Sequence, residues 1–489
     1  MAEIRRLLSR HAVSMACASL IAGCAVGPDF QAPALPETGA HFVRDASQPE
    51  LRHAVADPAF WRQFHDAELT RLVEQALQAN QDLRQAMARL DGAQALLRQA
   101  RFDQIPTLTA SAAGTQQKRS ESEVGPSGAS GPRSQRSYSA GLQASWEIDV
   151  FGRVRRNIEA HGADLQAEAA DLAALQLAIA AQVTASYADL RGWQQRLALA
   201  HANADSQEQT LQLVQLRLAL GRDTHLDLAR TQALLEATRA RIPALQAQIA
   251  VAQHRLAVLT GQQPGALVAQ LDMAAPLPAL PAVIDAGTPA DLLRRRPDVA
   301  AAEARLHAAT ARIGVATADL FPRLSLGGLL GSTALGSGSL FEGASATSRV
   351  FLGVDWSFLD VGRVRARIAA SEAGGAAALA GYQQTVLLAL EDTENALVRL
   401  QRTREEDQHL AQAAAQRELA EQLAQRRYQA GTIGLYELLD AQRDLYAAQD
   451  AAADSRTRGL RAAVGLYQAL AGGWQPQQVS TAAAVASSK

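Results

Sequence analysis

The chain changes from a two-residue to a helical hydrophobic period at one joint, and it contains that joint twice. Between residues 138 and 148 every second residue is apolar, which predicts a strand with one apolar and one polar face. After Gly152 the apolar residues recur at helical spacing, so we expect this strand to lead into a long helix. The second copy of the joint, VFLGVDWSFLDVGRVR, places Trp356 where the first has Trp146, and Gly362 where the first has Gly152. The chain is therefore an internal duplication.

Each repeat has the same predicted order of elements. The first repeat, residues 66–271, is expected to hold a helix from about 66 to 102, a β-hairpin at 107–149, a long helix at 153–220 and a returning helix at 225–260. The second repeat, residues 290–472, is expected to hold a helix, a β-hairpin at 323–359, a long helix at 363–430 and a returning helix at 435–470. A Pro-rich linker at 272–289 joins the repeats, and a tail at 473–489 follows. At about 1.5 Å per residue each long helix would span roughly 100 Å.

The hairpin loops carry the length difference between the repeats. Matched residues such as Pro106 and Pro322 lie further apart in the chain than Gly221 and Gly431, which follow the hairpins. Exposed loops vary freely in length, whereas a rigid frame does not. Each strand has about ten residues, the length that crosses a bilayer when it is tilted. A Gly-rich hairpin of a soluble protein would give a similar pattern.

The strand count predicts an oligomer. Four strands cannot close a membrane barrel, and an open sheet edge cannot face lipid. Several copies must then share one barrel, because the smallest membrane barrels have about eight strands. Two copies would give a barrel filled by side chains, whereas three would leave a channel. The helices would continue that barrel as a tube, which indicates conduction.

The N-terminus has the pattern of an export signal. A basic start precedes the apolar stretch 12–22, and the pattern ends in Ile-Ala-Gly-Cys24, which resembles a bacterial lipobox. That resemblance implies that residues 1–23 are removed, that Cys24 carries diacylglycerol and palmitate, and that residues 24–65 form a lipidated arm and an equatorial segment. Ala25 follows the cysteine, which by analogy directs a lipoprotein to the outer membrane. The alternative is an ordinary signal peptide with a chance cysteine.

Several classes of function are disfavoured by composition and motif content. A formal net charge of -2 argues against a nucleic-acid binder that relies on a basic field. The ten histidines are scattered without the spacing of metal ligands. The sequence has no GxSxG or dinucleotide fingerprint and no P-loop lysine, so we expect neither an enzyme nor a bound cofactor. Energy for any transport would then come from a partner.

Four segments together identify the chain as a member of a known family. The segments are RRRPDVAAAEARLHAATARIGVATADLFPRLSL (294–326), DVFGRVRR (149–156), YQQTVLLALEDTENAL (382–397) and RYQAGTIGLYELLDAQRDLY (427–446). They resemble the TolC superfamily of outer-membrane efflux proteins, specifically the NodT/OprM-like lipoproteins of tripartite RND pumps. The resemblance implies a mostly α protein with membrane β structure. Its trimer has a 12-stranded β-barrel, a 12-helix α-barrel tunnel and a mixed equatorial domain.

The same resemblance implies a function and partners. The protein would be the exit duct of an efflux system, conducting drugs or other small solutes passively. It would work with a periplasmic adaptor protein and an inner-membrane RND transporter, in the bacterial outer membrane with its tunnel in the periplasm. Two alternatives stay open. One is the duct of an ABC-driven type I secretion system, and the other is a lipid-anchored coiled-coil adaptor that does not conduct. The adaptor hypothesis does not explain the four predicted strands, in which apolar and polar residues alternate.

The resemblance also implies a gate at the far ends of the long helices. The turns there contain Gly221, Thr224, Gly431 and Gly434, which we expect to form the adaptor-docking tip. Tyr436 and Asp440 match the constricting residues of the family, and three copies of Asp440 would form a carboxylate ring that attracts cations. Tyr428 is expected to hydrogen-bond Asp227 and hold the gate shut. This chain has Ile433 where a related protein has an arginine, so that protein's salt bridge is not expected here.

Overall fold

The computed structural model of this protein describes residues 25–34, 39, 42–43, 59–120, 122, 133–281, 284 and 287–471. The expected signal peptide, the expected lipidation site Cys24, most of the first hairpin loop and the tail from residue 472 lie outside the described residues. The described chain divides into two compact units. The first holds residues up to Pro33 together with Leu90–Glu168 and Ala302–Tyr382, and the second holds the remainder.

The two repeats have closely similar element orders. The first repeat contains α1 (Ala67–Ala79), α2 (Gln81–Phe102), β1 (Thr107–Lys118), β2 (Ser134–Ile148), α3 (Arg153–Ala219), α4 (His225–Arg239), α5 (Arg241–Leu259) and the short α6 (Val268–Leu271). The second contains α7 (Pro289–Arg295), α8 (Pro297–Ala318), β3 (Arg323–Ala334), β4 (Ala346–Asp355), α9 (Val361–Gln429) and α10 (Leu435–Ala469). A 3-10 turn at Phe60–Phe64 precedes α1, and two more lie between β3 and β4.

The first helix of each repeat is broken once, at matched residues, so the expectation of one continuous helix from 66 to 102 was wrong. Asn80 has an extended backbone (ψ 133°), and its Oδ1 accepts hydrogen bonds from the amides of Asp82 (2.9 Å) and Leu83 (3.2 Å). An asparagine in this geometry starts a new helix. Arg296 is extended as well (ψ 121°), because it precedes Pro297 and the proline ring disfavours helical backbone at the preceding residue.

The returning helix expected at 225–260 is also two helices, α4 and α5, which meet at Ala240. Pro243 lies in the first turn of α5. A proline has no amide hydrogen for the carbonyl four residues earlier, and its ring clashes with that carbonyl, so an uninterrupted helix is not stable here. Its counterpart α10 has no proline and runs unbroken from Leu435 to Ala469.

The four strands form one antiparallel sheet in the order β1-β2-β3-β4. Leu142 of β2 lies opposite Leu330 of β3, and Trp146 lies opposite Leu326. The pairs β1-β2 and β3-β4 are hairpins, whereas the helices from α3 to α8 lie in the chain between β2 and β3. The described residues of β1 and β4 pair along one side only, which leaves both sheet edges open.

One face of this sheet is apolar across all four strands. Leu326 pairs with Leu352, and Leu324 pairs with Val354, so the alternation in each strand brings apolar side chains into one continuous surface. In the protomer these side chains are exposed: Leu330 is 68% exposed and Val350 is 82% exposed. An apolar surface of this extent that stays exposed among the described residues is suited to contact with lipid.

The opposite face of the sheet is largely polar. It carries Gln143, Ser145 and Glu147 on β2, and Arg349 lies on the same face of β4. This alternation is the pattern of a membrane barrel, in which apolar residues face lipid and polar residues face the lumen.

The matched tryptophans make the same hydrogen bond in both repeats. The indole Nε1 of Trp146 donates to the carbonyl oxygen of Gln104 at 3.0 Å, and that of Trp356 donates to the carbonyl of Leu320 at 3.0 Å. Each bond ties the end of one hairpin strand to the segment that enters the hairpin. The two halves differ beyond this point, because β4 ends at Asp355 instead of continuing to residue 359 as expected.

The joint between β2 and α3 is fixed by Asp149. Its Oδ1 accepts from the amide of Val154 (3.0 Å), and its Oδ2 accepts from the amide of Arg155 (2.9 Å). These amides belong to the first turn of α3, whose N–H groups have no partner within the helix. Gly152 lies in this joint with φ +83°, and a Cβ there would come within 2.6 Å of the Cα of Ala25.

The second unit is built on a large apolar core. Phe60 stacks on Tyr467 with ring centroids 5.2 Å apart, and Tyr187 donates to Oδ2 of Asp66 at 2.9 Å. Helix α3 contributes Val183 and Tyr187 to this core. By length and composition alone, α3 also contains a stretch apolar enough to cross a membrane, but buried core helices pass the same test.

Replacing Asp149 with Ala should destabilise the protein by about 1–2 kcal/mol, because two first-turn amides of α3 lose their acceptor. The change would be measured as a lower thermal midpoint of the helical circular-dichroism signal in detergent. Asp360→Ala is the matched control. The Asp360 carboxylate pairs with Arg363 at an exposed position, and the loss of such a pair costs little. Equal midpoints for the two variants would contradict the capping role of Asp149.

Candidate functional site

The two turns that follow α3 and α9 have the same backbone structure. Gly221 has φ +71° and Gly431 has φ +73°. The amide of Arg222 donates to the carbonyl of Arg217 at 2.8 Å, and the amide of Thr432 donates to the carbonyl of Arg427 at 2.9 Å. This six-residue hydrogen bond with a left-handed glycine is the Schellman motif, which ends a helix and reverses the chain. Each of the two long helices therefore ends in a defined turn.

The helices that leave these turns begin in different ways. Thr224 and Asp227 form a capping box: the amide of Asp227 donates to Thr224 Oγ1 at 3.2 Å, and the amide of Thr224 donates to Asp227 Oδ2 at 3.0 Å. The hydrogen bond from the Thr224 hydroxyl is the main cause that lowers the pKa of Asp227. The counterpart of Thr224 is Gly434, which starts α10 without a side-chain cap. The turn that contains Gly434 therefore has fewer stabilising local hydrogen bonds than the turn that contains Thr224.

Tyr428 is the central buried side chain at this end of the second unit. It is 2% exposed, and it packs with Val214, Leu435, Leu438 and Leu439. Its hydroxyl donates to Asp223 Oδ2 at 3.3 Å. Burial is the main cause that raises the pKa of Tyr428 to about 12, and the nearby Asp223 carboxylate adds to it. The phenol therefore stays protonated and remains a hydrogen-bond donor at neutral pH.

The expected bond from Tyr428 to Asp227 is not the one that the described residues of this protomer form. Asp223, four residues earlier, accepts from Tyr428, while the carboxylate of Asp227 is occupied by Thr224. A carboxylate in the first turn of a helix is drawn to the N-cap backbone amide, so Asp227 is directed away from Tyr428. Tyr428 does hydrogen-bond an aspartate of the turn that follows α3, but that aspartate is Asp223.

Arg217 completes a three-residue cluster with Asp223 and Tyr428. Its Nε donates to Asp223 Oδ1 at 3.1 Å, and its guanidinium carbon lies 4.8 Å above the ring of Tyr428. Asp223 thus holds one partner on each carboxylate oxygen. The cluster joins the end of α3, the first turn and the end of α9. The sequence analysis did not assign Arg217 or Asp223 to the gate, although Asp223 lies in the turn that Gly221 marks and Arg217 lies at the end of the helix before it.

Tyr436 and Asp440 lie on the first turns of α10, outside the buried core. Tyr436 is 63% exposed, and the guanidinium of Arg230 lies over its ring at 5.9 Å. Asp440 forms an ion pair with Arg443.

Ile433 stands where a related protein has an arginine, and it packs against the apolar cluster around Tyr428. Apolar burial therefore stabilises this turn at the position where no salt bridge was expected. None of the described residues form a group of three or more acidic, histidine or cysteine side chains suited to a metal ion.

Comparison with known proteins decides the family. A sequence model of the family described as outer membrane efflux protein matches residues 72–262 and 288–472, which together make up most of the chain. The chain belongs to this family. The two matched segments begin and end close to the two repeats, so the duplication recognised from the paired joints is a property of the family fold.

Relatives of the chain cover nearly its full length. Nodulation protein T of Rhizobium leguminosarum bv. trifolii is 32% identical over 475 residues, which cover 94% of this chain and 96% of that protein. Outer membrane protein OprJ of Pseudomonas aeruginosa is 33% identical over 473 residues, covering 93% of this chain and 94% of that protein. These relatives and the family match confirm the expected membership of the TolC superfamily, and they place the protein in the outer membrane.

Solved channels have the same fold. The outer-membrane channel OprN matches with a TM-score of 0.86 and 39% identity, covering 92% of this chain and 100% of that chain. The open state of the Neisseria gonorrhoeae MtrE outer membrane channel matches with a TM-score of 0.78 and 27% identity, covering 93% and 99%. The predicted fold class, a mostly α efflux channel with a small membrane sheet, is confirmed.

Replacing Gly221 or Gly431 with Ala should cost about 1–2 kcal/mol each, because a Cβ strains a residue with left-handed backbone. An added Cβ meets no atom within 4 Å at either position, so the effect isolates backbone strain. Gly162, inside α3, has the same open surroundings and no positive φ, and Gly162→Ala should instead stabilise the helix by about 0.5–1 kcal/mol. Thermal unfolding in detergent compares the signs, and changes of equal sign would contradict the assigned turn geometry.

Proposed function

We propose that this protein is the exit duct of a tripartite efflux system and conducts small solutes passively through a gated tunnel. The observation that carries the proposal is the sheet with one exposed apolar face and two open edges, each of whose hairpins continues into a helix of 67 or 69 residues. A single subunit with this sheet cannot be stable in lipid, because unpaired backbone groups at a sheet edge cost several kcal/mol there.

Pairing between copies of the chain satisfies those edges. The free side of β4 in one subunit pairs with the free side of β1 in the next, and three subunits give twelve strands. An eight-stranded barrel from two copies would be filled by side chains, whereas a larger barrel leaves an aqueous lumen. The polar face that carries Gln143, Ser145 and Glu147 then lines the lumen, and the apolar face meets lipid.

The lipid anchor of this proposal is Cys24, which directly precedes residues 25–34 in the sequence. The amide of Val26 donates to the carbonyl of Phe151 at 3.1 Å, so the chain that follows Cys24 runs beside the joint between sheet and helix. Asp29 pairs with Arg156 at 2.5 Å, and the ring of Phe30 stacks on His307 at 4.3 Å. An acyl chain on Cys24 would then enter the membrane at the inner end of the barrel. Val26 and Phe30 help fix that position.

Transport energy comes from partners in this proposal. An inner-membrane RND transporter and a periplasmic adaptor supply it, and the turns with Gly221, Thr224, Gly431 and Gly434 form the docking tip. Relatives support an efflux role: one is named an antibiotic efflux pump outer membrane protein and another a toluene efflux pump outer membrane protein, each 33% identical. Relatives named for pyoverdine export show how widely cargo varies within the family.

The gate of the proposed duct lies at this tip. Tyr436 and Asp440 narrow the mouth, and the cluster of Tyr428, Asp223 and Arg217 holds α9 against the first turn. Because Gly434 leaves α10 without a side-chain cap, the second turn is the more easily displaced of the two. Docking of an adaptor that separates α9 from the first turn would break the Tyr428 hydrogen bond and open the mouth.

Replacing Tyr436 with Ala should raise single-channel conductance in planar bilayers, because three bulky side chains leave the constriction together. Leu226 is the counterpart of Tyr436 in the first repeat and is 58% exposed, so Leu226→Ala is the matched control and should leave conductance unchanged. A purified wild-type protein that forms no channels would refute the duct. Equal conductance of Tyr436→Ala and the wild type would remove Tyr436 from the gate.

A further inference from the structure

The carboxylate at the proposed constriction has a cationic neighbour on its own helix. Arg443 contacts Asp440 Oδ1, and it lies 3.5 Å from Asp444 Oδ1 as well. Asp444 is also paired with Arg417 of α9. Positive and negative groups therefore alternate along this edge of the tip, in the order Asp440, Arg443, Asp444 and Arg417.

A second cation reaches the constriction from the first repeat. Arg230 occupies the position in α4 that Asp440 occupies in α10, counted from the matched glycines of the turns. Its guanidinium lies 5.9 Å from the centre of the Tyr436 ring. The duplication has thus placed opposite charges at equivalent positions, and both are close to the side chains proposed to narrow the mouth.

Resting on the gate proposed above, we infer that Arg443 and Arg230 determine the charge selectivity of the mouth and that it admits anionic as well as neutral solutes. If the Asp440 carboxylates surround the pore axis, the Arg443 guanidinium groups in contact with them must surround it too. Counting Asp440 and the guanidinium groups in contact with it or with the Tyr436 ring, each subunit then contributes one carboxylate and two guanidinium groups, since Asp444 is balanced by Arg417. A lone carboxylate ring would select cations, whereas this arrangement does not.

These charges affect the electrostatic field in the pore more than they affect the stability of the fold. The Arg443 side chain is 63% exposed and that of Asp440 is 40% exposed, and such surface pairs contribute little to unfolding free energy. Ion permeation responds differently, because three copies of each charge act together on one narrow aqueous path.

The test is the K⁺/Cl⁻ permeability ratio, taken from the reversal potential of the purified full-length protein in planar bilayers under a KCl gradient. We expect a wild-type ratio close to unity or below it. Arg443→Gln and Arg230→Gln should each raise the ratio roughly fivefold at about 0.1 M salt, and this change should shrink at about 1 M as the charges are screened. Asp440→Asn should lower it.

The matched control is Arg402→Gln. Arg402 forms the same kind of pair with Glu405, three residues away on α9, with side-chain exposures of 65% and 46%. It lies far along the helix from the turn, so its loss should leave the ratio unchanged. The same substitutions made in the Tyr436→Ala background provide open pores in which every ratio can be measured.

The outcomes separate this inference from the duct itself. Conducting pores with a strongly cation-selective wild type, or with a ratio that Arg443→Gln and Arg230→Gln leave unchanged, would overturn the assigned role of the two arginines and leave the duct intact. The absence of pores in every variant would overturn the proposed function and this inference together. A ratio that shifts equally in Arg402→Gln would also overturn it, because the effect would then not belong to the mouth.

Discussion

Open backbone edges in a lipid environment are the constraint on which the rest of this structure depends. The outer sides of β1 and β4 present amide and carbonyl groups that no described residue of the protomer satisfies. Water would satisfy them, but the exposed apolar face that includes Leu330 and Val350 is suited to lipid and not to water. Closure by further copies of the chain meets both requirements at once. The sheet is therefore stable in lipid only as part of the oligomer.

The long helices follow from the same arrangement. Each hairpin continues into a helix through a fixed joint, of which Asp149 and Gly152 are the defining residues in the first repeat. A closed ring of strands therefore continues into a ring of helices. The chain reverses direction at the turns that contain Gly221 and Gly431. The duplication gives both turns one backbone geometry but different side chains. Thr224 caps one helix and Gly434 leaves the other uncapped, so the repeats can differ in mobility without differing in fold.

Much of this fold could be predicted from the sequence because its signals are local. The change of period at the joint, the paired tryptophans and the left-handed glycines each report backbone structure within a few residues. The breaks at Asn80 and Ala240 were missed, since the apolar period continues across them and only a capping side chain or a proline ends the helix. The partner of Tyr428 was misassigned because the choice between Asp223 and Asp227 depends on which carboxylate the cap at Thr224 occupies. The contact of Arg230 with Tyr436 joins two helices from different repeats, and no pattern within one helix reveals it.

The number of chains in the purified complex tests the central claim most directly. Native mass spectrometry of the protein released from detergent micelles should show three chains in a single species, with the β-sheet signal present before release. Monomers that remain folded in water with an intact sheet would contradict the account, because their strand edges would need no neighbouring subunit.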